Sequence, residues 1–466
     1  MKNKPLIDQV DVAIIGGGIV GCAMARRLTL AGASTLLVEK AADILDGASK
    51  GNSAILHTGF DAPLGSLEHQ CMQQGYQEYL SIRKDMNLPL LKSGALVAAW
   101  TEEEEAQLQG ILQKGHKNGV ADISLISASQ ALNIAPNLAP HLRAAISIPR
   151  EYVIDPWSAP FVYLSQSLEN GGKALFNTEV IGGDFNGEQW QLATNKGVIK
   201  TQYVINCAGL YGDILEQNTL GKSDFTIKPR KGQFVVFDKA AHQLMPTIIL
   251  PVPTERTKGI VIFPTIFGNL AVGPTAEEQE GRSDASVDEK TLNELHQQAL
   301  KLIPSLKGIP VTATYAGIRP ATESPEYRIS KKSEFNWISV GGIRSTGLTA
   351  ALGIAQYVEG LLLEDNTTFK AIQNPIISRV PNLAEYRPRD CETAGYGEIV
   401  CHCELVTDRE INKAMEGALG AKSLAGLKRR TRVTMGRCQG FYCSARLAEL
   451  TQNKFENPLA IGDADE

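Results

Sequence analysis

The chain has 466 residues, too many for one compact core, so about two or three domains are expected. Its hydrophobic share of 43% and charged share of 21% are ordinary for a globular protein, and no apolar run is long enough to cross a bilayer. A net charge of −5 argues against a general nucleic-acid or lipid-binding surface.

In chain order, Lys2 and Lys4 precede an apolar stretch that runs into Gly16-Gly17-Gly18 with no small-residue cleavage site. It therefore reads as a strand over Val10–Ile15 and not as a signal peptide, and a cytoplasmic protein is expected. Gly16-Gly17-Gly18-Ile19-Val20-Gly21 follows, then a helical stretch from Cys22 to about Leu30, Gly32 as its stop, and a second strand over Ser34–Val38 ending in Glu39. In this strand–turn–helix–strand context the glycines mark a dinucleotide site. Gly16 permits the tight turn, Gly18 lets the backbone approach a pyrophosphate, and Gly21 allows close helix–strand contact. Glu39 stands where a carboxylate accepts ribose hydroxyls.

Downstream, an apolar strand ends in small residues at Val204-Ile205-Asn206-Cys207-Ala208-Gly209, and a glycine-rich turn at Gly341–Thr349 leads into an Ala-rich helix. Segments so far apart suit one large cofactor gripped by several loops, which favours FAD over a loosely held nicotinamide. Cys22 and Cys207 read as small core residues, whereas Cys391 is a spare ligand candidate. Pro375, Pro381 and Pro388 mark 373–397 as a linker or extended arm. A capped helix is expected from Thr407 and a short helical piece around Leu424 and Leu427. Lys428-Arg429-Arg430-Thr431-Arg432 reads as a solvated face, a partner-docking patch, or cations balancing a nearby cluster.

Half of the eight cysteines fall near the C-terminus, as Cys401-His402-Cys403 and Cys438-Gln439-Gly440-Phe441-Tyr442-Cys443. Close pairs converge on one centre without long loops having to close. Disulfides are disfavoured in a chain that nothing marks as secreted, and a Cys-x-Cys pair is tight for structural zinc. A [2Fe–2S] cluster fits the spacing best, with zinc as the alternative.

Residues from about 8 to 370 resemble the glycine oxidase/D-amino-acid oxidase superfamily of flavoproteins. The nearest likeness is to FAD-dependent glycerol-3-phosphate dehydrogenases and oxidases. It rests on Asn52-Ser53-Ala54-Ile55-Leu56-His57-Thr58-Gly59, Arg230-Lys231-Gly232-Gln233, Lys258-Gly259, Gly273-Pro274-Thr275, Ala316-Gly317-Ile318-Arg319-Pro320 and the Gly341–Thr349 turn. Residues from about 398 to 450 resemble the bacterioferritin-associated ferredoxin type of [2Fe–2S] domain. The resemblance implies an FAD-binding Rossmann-like α/β domain interleaved with a β-sheet-rich substrate domain over 1–372, a linker over 373–397, a small helical [2Fe–2S] domain over 398–450 and a tail over 451–466.

It also implies FAD contacts at Gly16, Gly18, Gly21, Glu39, Ser53, Ala208, Gly209, Gly342, Arg344, Ser345, Thr346, Gly347, Leu348 and Thr349. Cys401, Cys403, Cys438 and Cys443 become the cluster ligands. On residues alone His57 reads equally as a core histidine; the resemblance makes it the catalytic base, with Arg319 and Lys258 holding an anionic substrate. The implied activity is a dehydrogenase that oxidises a small anionic secondary alcohol, glycerol 3-phosphate first. Its electrons would pass to an acceptor subunit or quinone, with any membrane association peripheral and through partners. Oxidation of a 2-hydroxy acid such as 2-hydroxyglutarate, oxidation of an amine, and a pure electron-transfer subunit are the rivals.

Overall fold

The structure is a computed structural model that describes residues 6–7, 9–253, 259–364 and 369–460. Apart from Asp11, Val10–Ile15 is apolar, as suits a strand covered on both faces, and it lies inside an eight-stranded sheet. Thr35–Val38 and Val198–Asn206 flank it in parallel, with Ile15 beside Val38 on one side and Asn206 on the other. Lys173–Leu175 and Trp337–Gly341 extend the parallel part. The antiparallel strands Val180–Phe185, Trp190–Thr194 and Arg328–Lys332 complete the sheet.

Parallel neighbours need a crossover, and the helix Ile19–Ala31 supplies the first one. It is stopped by Gly32 at φ 101°, a left-handed position that glycine takes without steric cost. The carboxyl ends of the parallel strands consequently share one edge. Gly16, Glu39, Cys207 and Gly342 follow four of the five. At such an edge open α/β sheets hold their ligands.

Strands of a second, nine-stranded sheet are drawn from between those of the first, so the two layers are interleaved in sequence. Its longest pair is Ile227–Phe237 with Val311–Thr322, antiparallel, which sets Arg230 opposite Arg319 and Val236 opposite Ala313. A three-stranded ribbon of Ile55–Leu56, Tyr152–Ile154 and Leu90–Leu91 lies between the larger sheets in sequence.

The C-terminal unit has a ribbon of Ile399–Cys401 with Val406–Thr407, and helices Asp408–Ala414, Leu424–Thr431 and Ser444–Thr451. Thr407 caps the first with a reciprocal Glu410 bond. Val406, Ile411, Leu427 and Leu447 are fully buried in its core. The expected tail is not wholly one, because Phe455 packs into this same core. Among the described residues no helix is long and apolar enough to cross a membrane.

Packing decides between the alternatives in two segments. Residues 373–397 are no free linker: the chain is extended but bound. Ile376 N–H donates to Asn170 Oδ1 at 2.8 Å, and Val380 N–H donates to Met86 O at 3.2 Å. Tyr386 Oη donates to Leu90 O at 2.9 Å. Nor is the cationic run a solvated face. Arg430 makes two bonds to Asp43, at 2.6 and 2.7 Å, and its guanidinium lies 4.9 Å from the Phe161 ring centre. Arg429 Nη2 donates to Ile44 O at 3.0 Å. These arginines clamp the small unit onto the loop that follows the second parallel strand.

Arg430→Met leaves a buried carboxylate unpaired, at a cost of about 3–5 kcal/mol. The expected result is faster limited proteolysis within 373–397 while the far-UV circular dichroism stays that of the wild type. Wild-type protection would show that the clamp does not hold the unit in place.

Candidate active site

The shared strand edge opens on a cleft of about 440 Å³. Gly16, at φ 114°, begins its floor, and a Cβ there would lie 2.5 Å from Cys207 O. A Cβ on Gly21 would lie 1.9 Å from Gly16 O, so the helix approaches the turn as only glycine allows. Gly17 N–H donates to Glu39 Oε2 at 2.5 Å and Ala41 N–H to Glu39 Oε1 at 2.8 Å. Burial pushes the Glu39 carboxyl up, against the pull of those two amides.

Gly16, Gly18, Glu39, Ser53, Ala208 and Gly209 line the cleft from the first half of the chain. Gly342, Arg344, Ser345, Gly347 and Leu348 line it from the second. A close-approach glycine turn at a helix N-terminus, with a carboxylate after the next strand, fits the pyrophosphate and ribose of a dinucleotide. Arg344 Nε is buried with no hydrogen-bond partner, a donor at the wall that a bound group would satisfy.

Three sequence-predicted residues stand behind this wall. Gly21 packs on Gly16 as described. Thr346 Oγ1 donates to buried Glu68 at 2.7 Å and contacts Tyr327 Oη at 2.6 Å, which braces the turn. Thr349 Oγ1 accepts the His57 N–H at 3.0 Å and donates to Ile55 O at 3.3 Å. It ties the helix Gly347–Leu363 to the strand that presents His57.

Arg319 lines the cleft from the long antiparallel pair. Its Nη2 donates to Thr275 O at 2.6 Å and to Lys231 O at 3.1 Å. Burial, with Arg230 adding to it, lowers its pKa to about 10, so it is still a cation at neutral pH but a poorly solvated one. Such a group favours an anion. Arg282, which the sequence reading did not single out, also lines the cleft and pairs with Asp213 at 2.5 Å. Lys258 lies outside the described residues.

His57 is not part of the cleft lining, and its imidazole is held from behind. Its Nδ1 lies 2.8 Å from Glu151 Oε2, and the Glu151 side chain is completely buried. The other oxygen, Oε1, accepts from Thr58 N–H at 2.6 Å and Thr58 Oγ1 at 2.7 Å. A carboxylate so placed assigns the proton to Nδ1 and the lone pair to Nε2, the arrangement a general base needs. Glu151 escaped the sequence reading because nothing local distinguishes it from other strand-end acids.

In the small unit the thiols meet in two pairs. Cys403 lies beside Cys438, and Cys401 beside Cys443. The backbone amide of Tyr442 holds the Cys438 thiol below its ordinary value, helped by the Cys403 thiol and the amides of Gly440 and Phe441. Burial pushes Cys403 and Cys443 up. Among the described residues no three His, Cys, Asp or Glu side chains converge as a single-ion centre. Four thiols in two pairs, with amides turned onto one sulfur, fit a two-iron cluster. Cys22, Cys71 and Cys207 are buried in the body, as core residues are.

Residues 11–361 match the family described as FAD dependent oxidoreductase. The chain belongs to that family. Residues 399–453 match the BFD-like [2Fe-2S] binding domain, so this FAD-dependent oxidoreductase carries both cofactors. It is 31% identical to glycerol 3-phosphate dehydrogenase of Caloramator mitchellensis over 448 residues, covering 94% of this chain and 93% of that one. To glycerol 3-phosphate oxidase of Mycoplasma genitalium it is 30% identical over 363 residues, covering 76% and 94%. Among solved structures, dithionite-reduced L-alpha-glycerophosphate oxidase from Mycoplasma pneumoniae with FAD bound aligns with a TM-score of 0.75 and 27% identity, over 81% of this chain and 100% of that one.

Two substitutions separate the cofactors. Gly21→Val forces the helix off the turn, and the purified oxidoreductase is expected without FAD. Cys438→Ser removes one thiolate, and iron analysis should fall well below wild type while the flavin spectrum persists. Full iron retention would remove Cys438 from the ligand set.

Proposed function

We propose that the protein oxidises sn-glycerol 3-phosphate to dihydroxyacetone phosphate and sends the electrons through the [2Fe–2S] cluster to a partner protein or quinone. Two features carry this reading: a buried arginine, Arg319, in the cleft wall, and a histidine, His57, held by a buried carboxylate. The likeness to glycerol 3-phosphate dehydrogenases and oxidases supports the phosphate as the anion.

FAD supplies the acceptor for a hydride from the alcohol carbon. The chain's own residues do the rest. Arg319, with Lys258 by resemblance, binds the phosphate and so orients the carbinol. His57 Nε2 takes the hydroxyl proton, and Glu151 stabilises the imidazolium as it forms. Ser53, Arg344 and the Gly342–Leu348 turn grip the cofactor, while the glycine turn and Glu39 hold its nucleotide end.

Anaerobic spectra with glycerol 3-phosphate and 2-hydroxyglutarate added separately test the substrate. Flavin bleaching by glycerol 3-phosphate alone is expected, and bleaching by the hydroxy acid alone would move the activity to that class. In His57→Ala, substrate-driven bleaching should slow by about 10²–10⁴-fold with FAD retained. Glu151→Gln should cost about 10–100-fold, as loss of a supporting carboxylate does. Unchanged bleaching in His57→Ala would exclude it as the base.

A further inference from the structure

We infer that the stacked rings of Trp157 and Phe267 are the route by which electrons cross from the flavin cleft to the [2Fe–2S] cluster. This rests on the reading that flavin electrons reach the cluster, and it assigns the path.

At one end, Trp157 Nε1 donates to Lys50 O at 3.3 Å, and Lys50 is part of the cleft wall. The indole stacks on Phe267, with ring centres 5.3 Å apart and planes at 14°. On Phe267 sits the guanidinium of Arg432, 4.1 Å from the ring centre. Arg432 Nε donates to Glu404 Oε2 at 2.8 Å, and Glu404 follows the ligand Cys403 directly in the chain. The segment behind Arg432 returns to that ligand, since a Cβ on Gly436 would lie 2.3 Å from Cys403 Cβ.

Cleft wall, indole, phenyl ring, guanidinium and ligand loop are thus in unbroken contact. Electron tunnelling falls steeply with distance and faster across gaps than through packed matter, and stacked π systems offer the shortest gaps. The cation on Phe267 also lowers the energy of an added electron there. A second path exists. Tyr315 Oη donates to Asn52 O at 2.9 Å, and Gln439 Nε2 donates to Thr312 O at 2.7 Å. From Tyr315 to Thr312, however, it must run along the strand.

The balance closes simply. One secondary alcohol gives two electrons and two protons: His57 takes one proton, and the hydride carries the other with both electrons. Each crossing moves one electron and no atom, so a turnover needs two crossings, and the two protons, one from His57 and one left at the flavin, are released to solvent. A one-electron acceptor reoxidises the cluster between them. Neither ring is itself oxidised.

The test follows flavin and cluster bands separately in stopped-flow, using the full-length protein with both cofactors and glycerol 3-phosphate or photoreduction as the electron source. Trp157→Leu and Phe267→Leu should each slow cluster bleaching about tenfold or more, a barrier change of about 1.4 kcal/mol per tenfold. Flavin bleaching, FAD and iron contents, both midpoint potentials and protease resistance at 373–397 should match wild type. Trp157→Phe, which keeps a ring, should restore most of the rate. Wild-type cluster bleaching in both leucine variants overturns the assignment. So does slowing in Tyr315→Leu alone, or slowing that comes only with faster proteolysis, which would mark a docking role. If the wild-type cluster stays oxidised after its flavin has bleached under photoreduction, the parent reading of the electron route fails first.

Discussion

Parallel strands cannot be joined by tight turns, so pairing Val10–Ile15 with Thr35–Val38 and Val198–Asn206 sends the chain away from the sheet after each strand. The parallel strands then end on the same edge, and four of these ends each deliver a different tool. The first brings a helix N-terminus and the glycine turn, the second Glu39, the third Ala208 and Gly209, and the fourth Gly342 with Arg344. No residue in this set is reactive by itself. Their value comes from convergence, which the parallel register enforces. The cleft exists because the hydrogen-bond ladder leaves these ends nowhere else to go.

The second sheet contributes charge where the first contributes shape. Arg319 is held by backbone carbonyls of its partner strand and its neighbour, so its position is set before any ligand arrives. Such preorganisation removes the entropic cost of ordering a long side chain on binding. His57 shows the same logic. Glu151, itself held by Thr58, fixes the imidazole from behind, and Thr349 fixes its backbone from the side. Both side chains are thereby held in one orientation, and fixed orientation is most of what a positioned acid–base catalyst needs.

Docking of the small unit uses the same residue types differently. The Asp43–Arg430 pair is buried on both sides, so its worth lies less in net stability than in fixing one arrangement of two units. Asp43 stands four residues beyond Glu39, in the loop at the nucleotide end of the cleft. The unit that holds the cluster is therefore anchored to the cofactor site itself. The bound arm at 373–397 holds the same relation along the body.

What the sequence determined by itself was local or repetitive. The glycine turn, the two strands and helix around it, the apolar strand ending at Cys207 and the paired cysteines are short-range patterns with a direct physical meaning. Family likeness then picked out His57 and Arg319. Only the tertiary structure decided the rest. Glu151 is 94 residues from the histidine it serves, and no spacing rule links them. Thr346 and Thr349, expected at the cofactor, turned out to brace the turn and the histidine strand, since which face of a helix start meets the cleft depends on its packing. Lys428–Arg432 looked the same on paper whether solvated or buried; its counter-charge, Asp43, lies 387 positions away from Arg430. Charge and polarity are written in the chain, but their partners are chosen by the fold, because pairing across hundreds of residues has no local signature.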